Sequence, residues 1–298
     1  MRRKSVIALT LALATPLACL GCKSSSWPQR AQAAGAEASG TADVAPAPEG
    51  AKGEAAQPWA VDAELAVTAA PEAATVRQMA EKDPLSLLSL ARQNYESAVR
   101  DYTVTMVKQE RDGKGRLGKE ETVFCKFLRE PRGVFLQWKA GADRIDKALY
   151  APTLVGSDVV IHPTGMAGLL ASSLKLSPDG EHGESLKRVT SFGFASVYDL
   201  LIERGRDALG HGDLTTVFLG EMTVEGQAAM AFQWLLPAGR GYPCGRIVVY
   251  LCRETLLPLT ITTWDWAEQL QSKYVYKDLR ANLALTATDF SRKACGLE

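Results

Sequence analysis

Asp101-Tyr102-Thr103-Val104-Thr105-Met106 sets Tyr102, Val104 and Met106 against Thr103 and Thr105, a period of two that fits a strand with one apolar face. Arg111-Asp112-Gly113-Lys114-Gly115 follows as a turn, and Glu121 to Leu128 resumes a β-rich run, so the stretch predicts a hairpin. Pro131 breaks the second strand, after which Val134, Leu136 and Trp138 alternate with Phe135 and Gln137. Further strand-like runs are Leu154–Ile161, Leu214–Met222, Ala228–Leu235, Arg246–Cys252, Leu259–Trp264 and Lys273–Lys277. Helices are predicted from Asp83-Pro84, a cap followed by a first-turn proline, through about Val99, and over Met166–Leu174 and Ala195–Leu209. No strand–helix–strand alternation runs through the chain, which predicts an α+β fold with a mainly antiparallel sheet.

Before this region the sequence changes character. Met1-Arg2-Arg3-Lys4, an apolar run from Ser5 to Leu20, and then Gly21-Cys22 have the three-part layout of a secretory signal over residues 1–21. The apolar run is short of the roughly 20 residues that a membrane-spanning helix needs. A small residue before a cysteine also resembles the lipobox of bacterial lipoproteins, which makes Cys22 the expected lipidation site and Cys19 the weaker alternative. Residues 22–73 are rich in Ala, Gly, Pro, Ser and Glu, with Trp27 and Trp59 their only aromatic residues. Such a composition predicts a disordered tether, with a span of about 40 Å if it behaves as a flexible coil. Residues 74–298 remain as the folded domain.

Lys+Arg and Asp+Glu are equal at 34 each, and loss of residues 1–21 leaves 31 basic against 34 acidic. That balance argues against a nucleic-acid role. Gly113-Lys114-Gly115-Arg116-Leu117-Gly118-Lys119 resembles a phosphate loop, but Glu120 stands where a magnesium-binding Ser or Thr belongs, and no helix follows. His162, His182 and His211 are scattered, and no metal site is expected from them. Asp143 and Asp146, or Glu181 and Glu184, would be acid–base pairs only in a less polar setting than their sequence suggests. No catalytic residues and no cofactor are expected. Cys125, Cys244, Cys252 and Cys295 are an even number in an oxidising compartment, so either they cross-link or they are small buried hydrophobes. Cys244 and Cys252 would lie about 26 Å apart on one continuous strand and so would not bond to each other.

Several blocks together resemble a bacterial family known as domain of unknown function 1571. They are Asp101-Tyr102-Thr103-Val104 through Lys108-Gln109-Glu110, Lys126-Phe127-Leu128-Arg129-Glu130-Pro131 leading to Trp138, and Ala148-Leu149-Tyr150. His162 with Gly165, Leu176-Ser177-Pro178-Asp179-Gly180, Glu254-Thr255-Leu256-Leu257-Pro258, Tyr274-Val275-Tyr276-Lys277-Asp278-Leu279 and Asp289-Phe290 complete the pattern. More distantly it is similar to the periplasmic lipoprotein carriers and outer-membrane lipoprotein receptors of LolA/LolB type. That resemblance implies a curved half-barrel sheet covered by helices, with an apolar hollow between them for a lipid or lipoprotein acyl chain. Val104, Met106, Val134, Leu136 and Trp138 are the expected inner-face ligand contacts, although the same alternation fits an ordinary filled core. The expected protein is non-enzymatic, exported and, unlike a shuttling carrier, anchored in the cell envelope through its own amino-terminal segment, with a lipid, an acyl chain or an envelope lipoprotein as partner. Alternatives are an interaction or sensor module and, less favoured, a hydrolase.

Overall fold

The structure, a computed structural model, describes residues 73–170, 172–178 and 188–298. The expected signal segment, Cys19, Cys22, nearly all of the tether, His182, Glu181 and Glu184 lie outside the described residues. Among the described residues no helix is long and apolar enough to cross a membrane.

The first elements are α1 (Ala73–Lys82) and α2 (Pro84–Ala98), then β1 (Asp101–Glu110), β2 (Glu121–Leu128), β3 (Gly133–Ala140) and β4 (Ile145–Tyr150). Next come α3 (Pro152–Val155), β5 (Val159–Pro163), α4 (Gly165–Leu170), β6 (Leu174–Leu176) and α5 (Phe194–Gly210). The chain closes with β7 (Thr215–Val224), β8 (Gln227–Leu235), β9 (Arg246–Cys252), β10 (Pro258–Trp264), β11 (Leu270–Ala281) and a 3-10 turn, Ala287–Phe290. The strands form one open 11-stranded sheet in the order β6-β5-β4-β3-β2-β1-β11-β10-β9-β8-β7, and every adjacent pair is antiparallel. The fold is α+β, an unclosed antiparallel sheet with the longer helices α1, α2 and α5 on one face.

The β1–β2 hairpin forms as expected, and its turn is pinned by an Arg111–Leu117 bridge, so the phosphate-loop look-alike is a strand connection. Asp83 caps α2 by accepting from the Ser86 amide at 3.0 Å. Two expectations need correction. Leu154–Ile161 is not one strand: Pro152 starts the short helix α3, Gly156 ends it at φ 79°, and β5 begins only at Val159. The helix expected over Met166–Leu174 stops at Leu170 and gives way to β6. Elements α1 and β4 were not expected.

Alternation assigns the two faces. Beneath the helices, Tyr102 stacks on Phe127 at 4.8 Å and on Phe194 of α5 at 4.9 Å, and Tyr276 meets Phe194 edge-on. Trp234, only 1% exposed, projects to the same side, where a Cβ on Gly205 of α5 would lie 2.7 Å from its ring. On the opposite face, Leu128, Phe135, Leu149 and Val160 form a second core with Phe290, Cys295 and Leu297 of the carboxyl-terminal segment. The sheet ends in β6, three residues long, and β7, ten residues long with an irregularity between Phe218 and Gly220. A bulge of that kind twists an edge away from further pairing.

Cys125, Cys244, Cys252 and Cys295 are all buried as thiols, which fits the hydrophobe reading. Burial pushes the Cys125 thiol well above its ordinary range and raises Cys295 to about 11. The folded protein should therefore react with a thiol reagent at pH 8 at least tenfold more slowly than the denatured chain, since the thiolate is the nucleophile. Equal rates in the two states would contradict this placement.

Candidate functional site

Val104, Met106, Val134 and Leu136 all lie on the helix-covered side, 1%, 5%, 0% and 6% exposed, and belong to the main core. Trp138, on the same face, packs against that core. At these positions the side chains pack within or against the main core.

Further along the same face, alternation carries polar groups into the interior. Lys108 is paired across the ladder with Glu121 of β2 and Tyr274 of β11. Its Nζ lies 3.2 Å from Glu110 and 3.3 Å from Glu121, with the Lys108 and Glu110 side chains 3% and 5% exposed. The Tyr274 hydroxyl donates to Glu110 and the Trp138 indole N–H donates to Glu121. Burial pushes the Glu110 carboxyl up despite Lys108, Tyr274 and Arg188 pulling it down. The group is internally satisfied, so its chemistry is that of a structural ion cluster. Sequence reading stopped the apolar stripe at Met106 and missed that Lys108 and Glu110 continue it inward.

His162 Nδ1 lies 2.6 Å from Asp146 Oδ1, both partly exposed. His211 sits at the end of α5 beside Asp207. Asp143 is exposed and 3.9 Å from Arg144, whereas Asp146 is partnered by His162. Among the described residues no group of three or more His, Cys, Asp or Glu converges on a metal position.

The opposite face of β7–β11 differs. There Gln233, Val248 and Thr262 lie in ladder register, as do Tyr250 and Thr260, all on the side away from Trp234 and the helices. These residues floor a half-open trough of about 150 Å³, walled by Leu219 from β7 and by Leu270 and Lys273 from β11. A volume of this order accommodates a benzene-sized group. Arg246 and Trp264 close one end, the guanidinium 3.8 Å from the indole centroid.

Two polar atoms in this trough are buried without a hydrogen-bond partner: Thr260 Oγ1, on a residue 1% exposed, and Arg246 Nε. Arg246 otherwise pairs with Glu268 on the rim. Among the described residues Lys273 makes no ion pair, and the lining contains two cations and no carboxylate. Unsatisfied buried donors are uncommon and call for a partner. None of these residues was a sequence candidate, because Thr260, Thr262 and Arg246 have the polarity of a strand's solvent side.

Residues 99–295 match the model of the family described as protein of unknown function (DUF1571). The chain belongs to this family. The DUF1571 match covers β1 through the carboxyl-terminal segment, so both the ion cluster and the trough lie within it. No curated protein matches the chain. Among solved structures, the Pseudomonas aeruginosa MucA/MucB complex matches at 16% identity over 74% of this chain and 61% of that one, with a TM-score of 0.38. The Mycobacterium tuberculosis lipoprotein LppX matches at 10% identity over 69% and 100%, with a TM-score of 0.40. A LolA superfamily protein from Nitrosomonas europaea matches at 10% over 70% and 97%, with a TM-score of 0.27. The chain spans about three fifths of the length of the MucB chains it is similar to.

Proposed function

We propose that this DUF1571 protein is a non-enzymatic binding protein of the cell envelope, exported by residues 1–21, anchored through Cys22, and holding a lipid or acyl group. The observation that carries the reading is the outer-face trough, an amphipathic hollow in which Thr260 and Arg246 offer buried donors that the protein itself leaves without partners. A small number of placed polar groups in a mainly apolar concavity is the usual form of a small-molecule site. The tether and the lipobox-like Gly21-Cys22 support the envelope location.

A second placement puts the ligand beneath the helices, against Val104, Met106, Val134, Leu136 and Trp138. It is favoured by the Tyr95 hydroxyl and the Trp234 indole N–H, both buried on that side without a partner. One experiment separates the two. The full chain purified from its native host envelope is expected to release one bound lipid per chain on extraction and to bind a fluorescent fatty acid. Val248→Phe, which fills the trough, should abolish that binding while leaving the circular dichroism spectrum unchanged. Undiminished binding by a folded Val248→Phe protein would move the site beneath the helices. A protein with no extractable lipid and no fatty-acid binding would refute the function itself.

A further inference from the structure

The trough's electrostatics say more about its occupant than its size does. Its lining offers the Arg246 guanidinium, the Lys273 ammonium, the Thr260 hydroxyl and the Gln233 amide as donors, and it presents no acidic side chain. Thr260 is 1% exposed and its hydroxyl points at no protein acceptor. Gln233 is 8% exposed, and among the described residues its amide makes no hydrogen bond. Arg246 is held in place by the Trp264 ring and by Glu268, yet its Nε remains unpartnered. Arg246 is balanced by Glu268, whereas the Lys273 ammonium has no ion-pair partner among the described residues, so one positive charge at the hollow is left uncompensated, and an ionised acceptor relieves that more strongly than a neutral one.

The walls restrict what else the occupant can be. Leu219, Val248 and Leu270 give the hollow a mainly apolar wall beside Tyr250 and Thr262, so a bare hydrophilic anion would forfeit part of its hydration there without return. The bulge in β7 between Phe218 and Gly220 brings Leu219 to this wall. Resting on the trough as the binding site, we infer that the ligand is a carboxylate bearing a short apolar chain. Its head lies between Arg246, Lys273 and Thr260, and its chain lies along Val248 and Leu270.

Octanoate and octan-1-ol share the chain and differ in the head, and isothermal titration of the full protein with each tests the assignment. Octanoate is expected to bind at least tenfold more tightly than octan-1-ol, the factor that one charge-assisted hydrogen bond supplies. Lys273→Met should lower octanoate affinity about tenfold and leave octan-1-ol unaffected. Thr260→Val should weaken octanoate severalfold without lowering the melting temperature, because the hydroxyl it removes has no protein partner. Equal affinity for acid and alcohol, unchanged by Lys273→Met, would overturn the carboxylate assignment and leave the trough standing as an apolar site. Inorganic phosphate displacing octanoate at equal concentration would overturn the requirement for an apolar chain. Binding of neither octanoate nor octan-1-ol would overturn the trough itself.

Discussion

Lys108→Met is expected to destabilise the fold by about 3–5 kcal/mol at neutral pH, the cost of removing one partner from a buried ion cluster. The substitution keeps the volume of the side chain and takes away only the charge, leaving Glu110 and Glu121 as neighbours without the ammonium that stands 3.2 and 3.3 Å from them. The effect should depend on pH with a definite sign. Glu110 is already pushed up from its ordinary value by burial, with Lys108 the largest opposing influence. An acid whose folded pKa exceeds its unfolded one contributes stability that is complete below the unfolded value and is lost as pH rises through the folded value. Loss of Lys108 raises the folded value further, so the deficit should be largest at pH 7.5 and shrink toward pH 5 as Glu110 takes up a proton. Adding Glu110→Gln should recover part of the loss, since the two positions share one network. Urea unfolding of the single and double variants at both pH values measures this. A deficit below about 1 kcal/mol, or one independent of pH, would mean that the cluster is hydrated and electrostatically slack.

The cluster also shows where sequence reading stops. Tyr102, Val104 and Met106 disclosed the β1 face because they are apolar, and the hairpin with β2 followed from the turn at Arg111–Gly115. Period two does not end at Met106, but Lys108 and Glu110 carry charges, and a charge on a strand ordinarily signals solvent. Only the register with Glu121 and Tyr274, which comes from pairing across β2 and β11, shows that the charges satisfy one another indoors. The trough was hidden by the mirror-image problem. Thr260, Thr262 and Arg246 have the polarity of an exposed face, and nothing local to β9 or β10 reveals that Leu219 and Leu270, about 50 residues apart, wall that face in. Helix α1 lay unread within Ala-rich sequence because its burial of Val76 and Ala80 comes from packing and not from composition. The strand expected over Leu154–Ile161 failed locally, since Pro152 and Gly156 favour a helical turn before β5.

The contact between α5 and the sheet admits a sharper test. Trp234→Ala should cost about 3–5 kcal/mol, the loss usual for a fully buried aromatic side chain, because its ring is 1% exposed and lies 6.0 Å from Phe232. Gly205→Ala should cost about 1–3 kcal/mol by overpacking, as the new Cβ would stand 2.7 Å from the Trp234 ring and 2.5 Å from Leu85. If the close approach of α5 to β8 is what requires glycine, the two losses cannot be independent. With the indole gone, a methyl at position 205 enters vacated space and meets only the movable end of Leu85. The double variant should then be less destabilised than the two single losses together by at least 1 kcal/mol. Thermal unfolding of all four proteins closes the cycle. Additive losses would show that α5 can withdraw from the sheet when Gly205 is replaced, and that the helices rest on the sheet without being fixed to it through this contact.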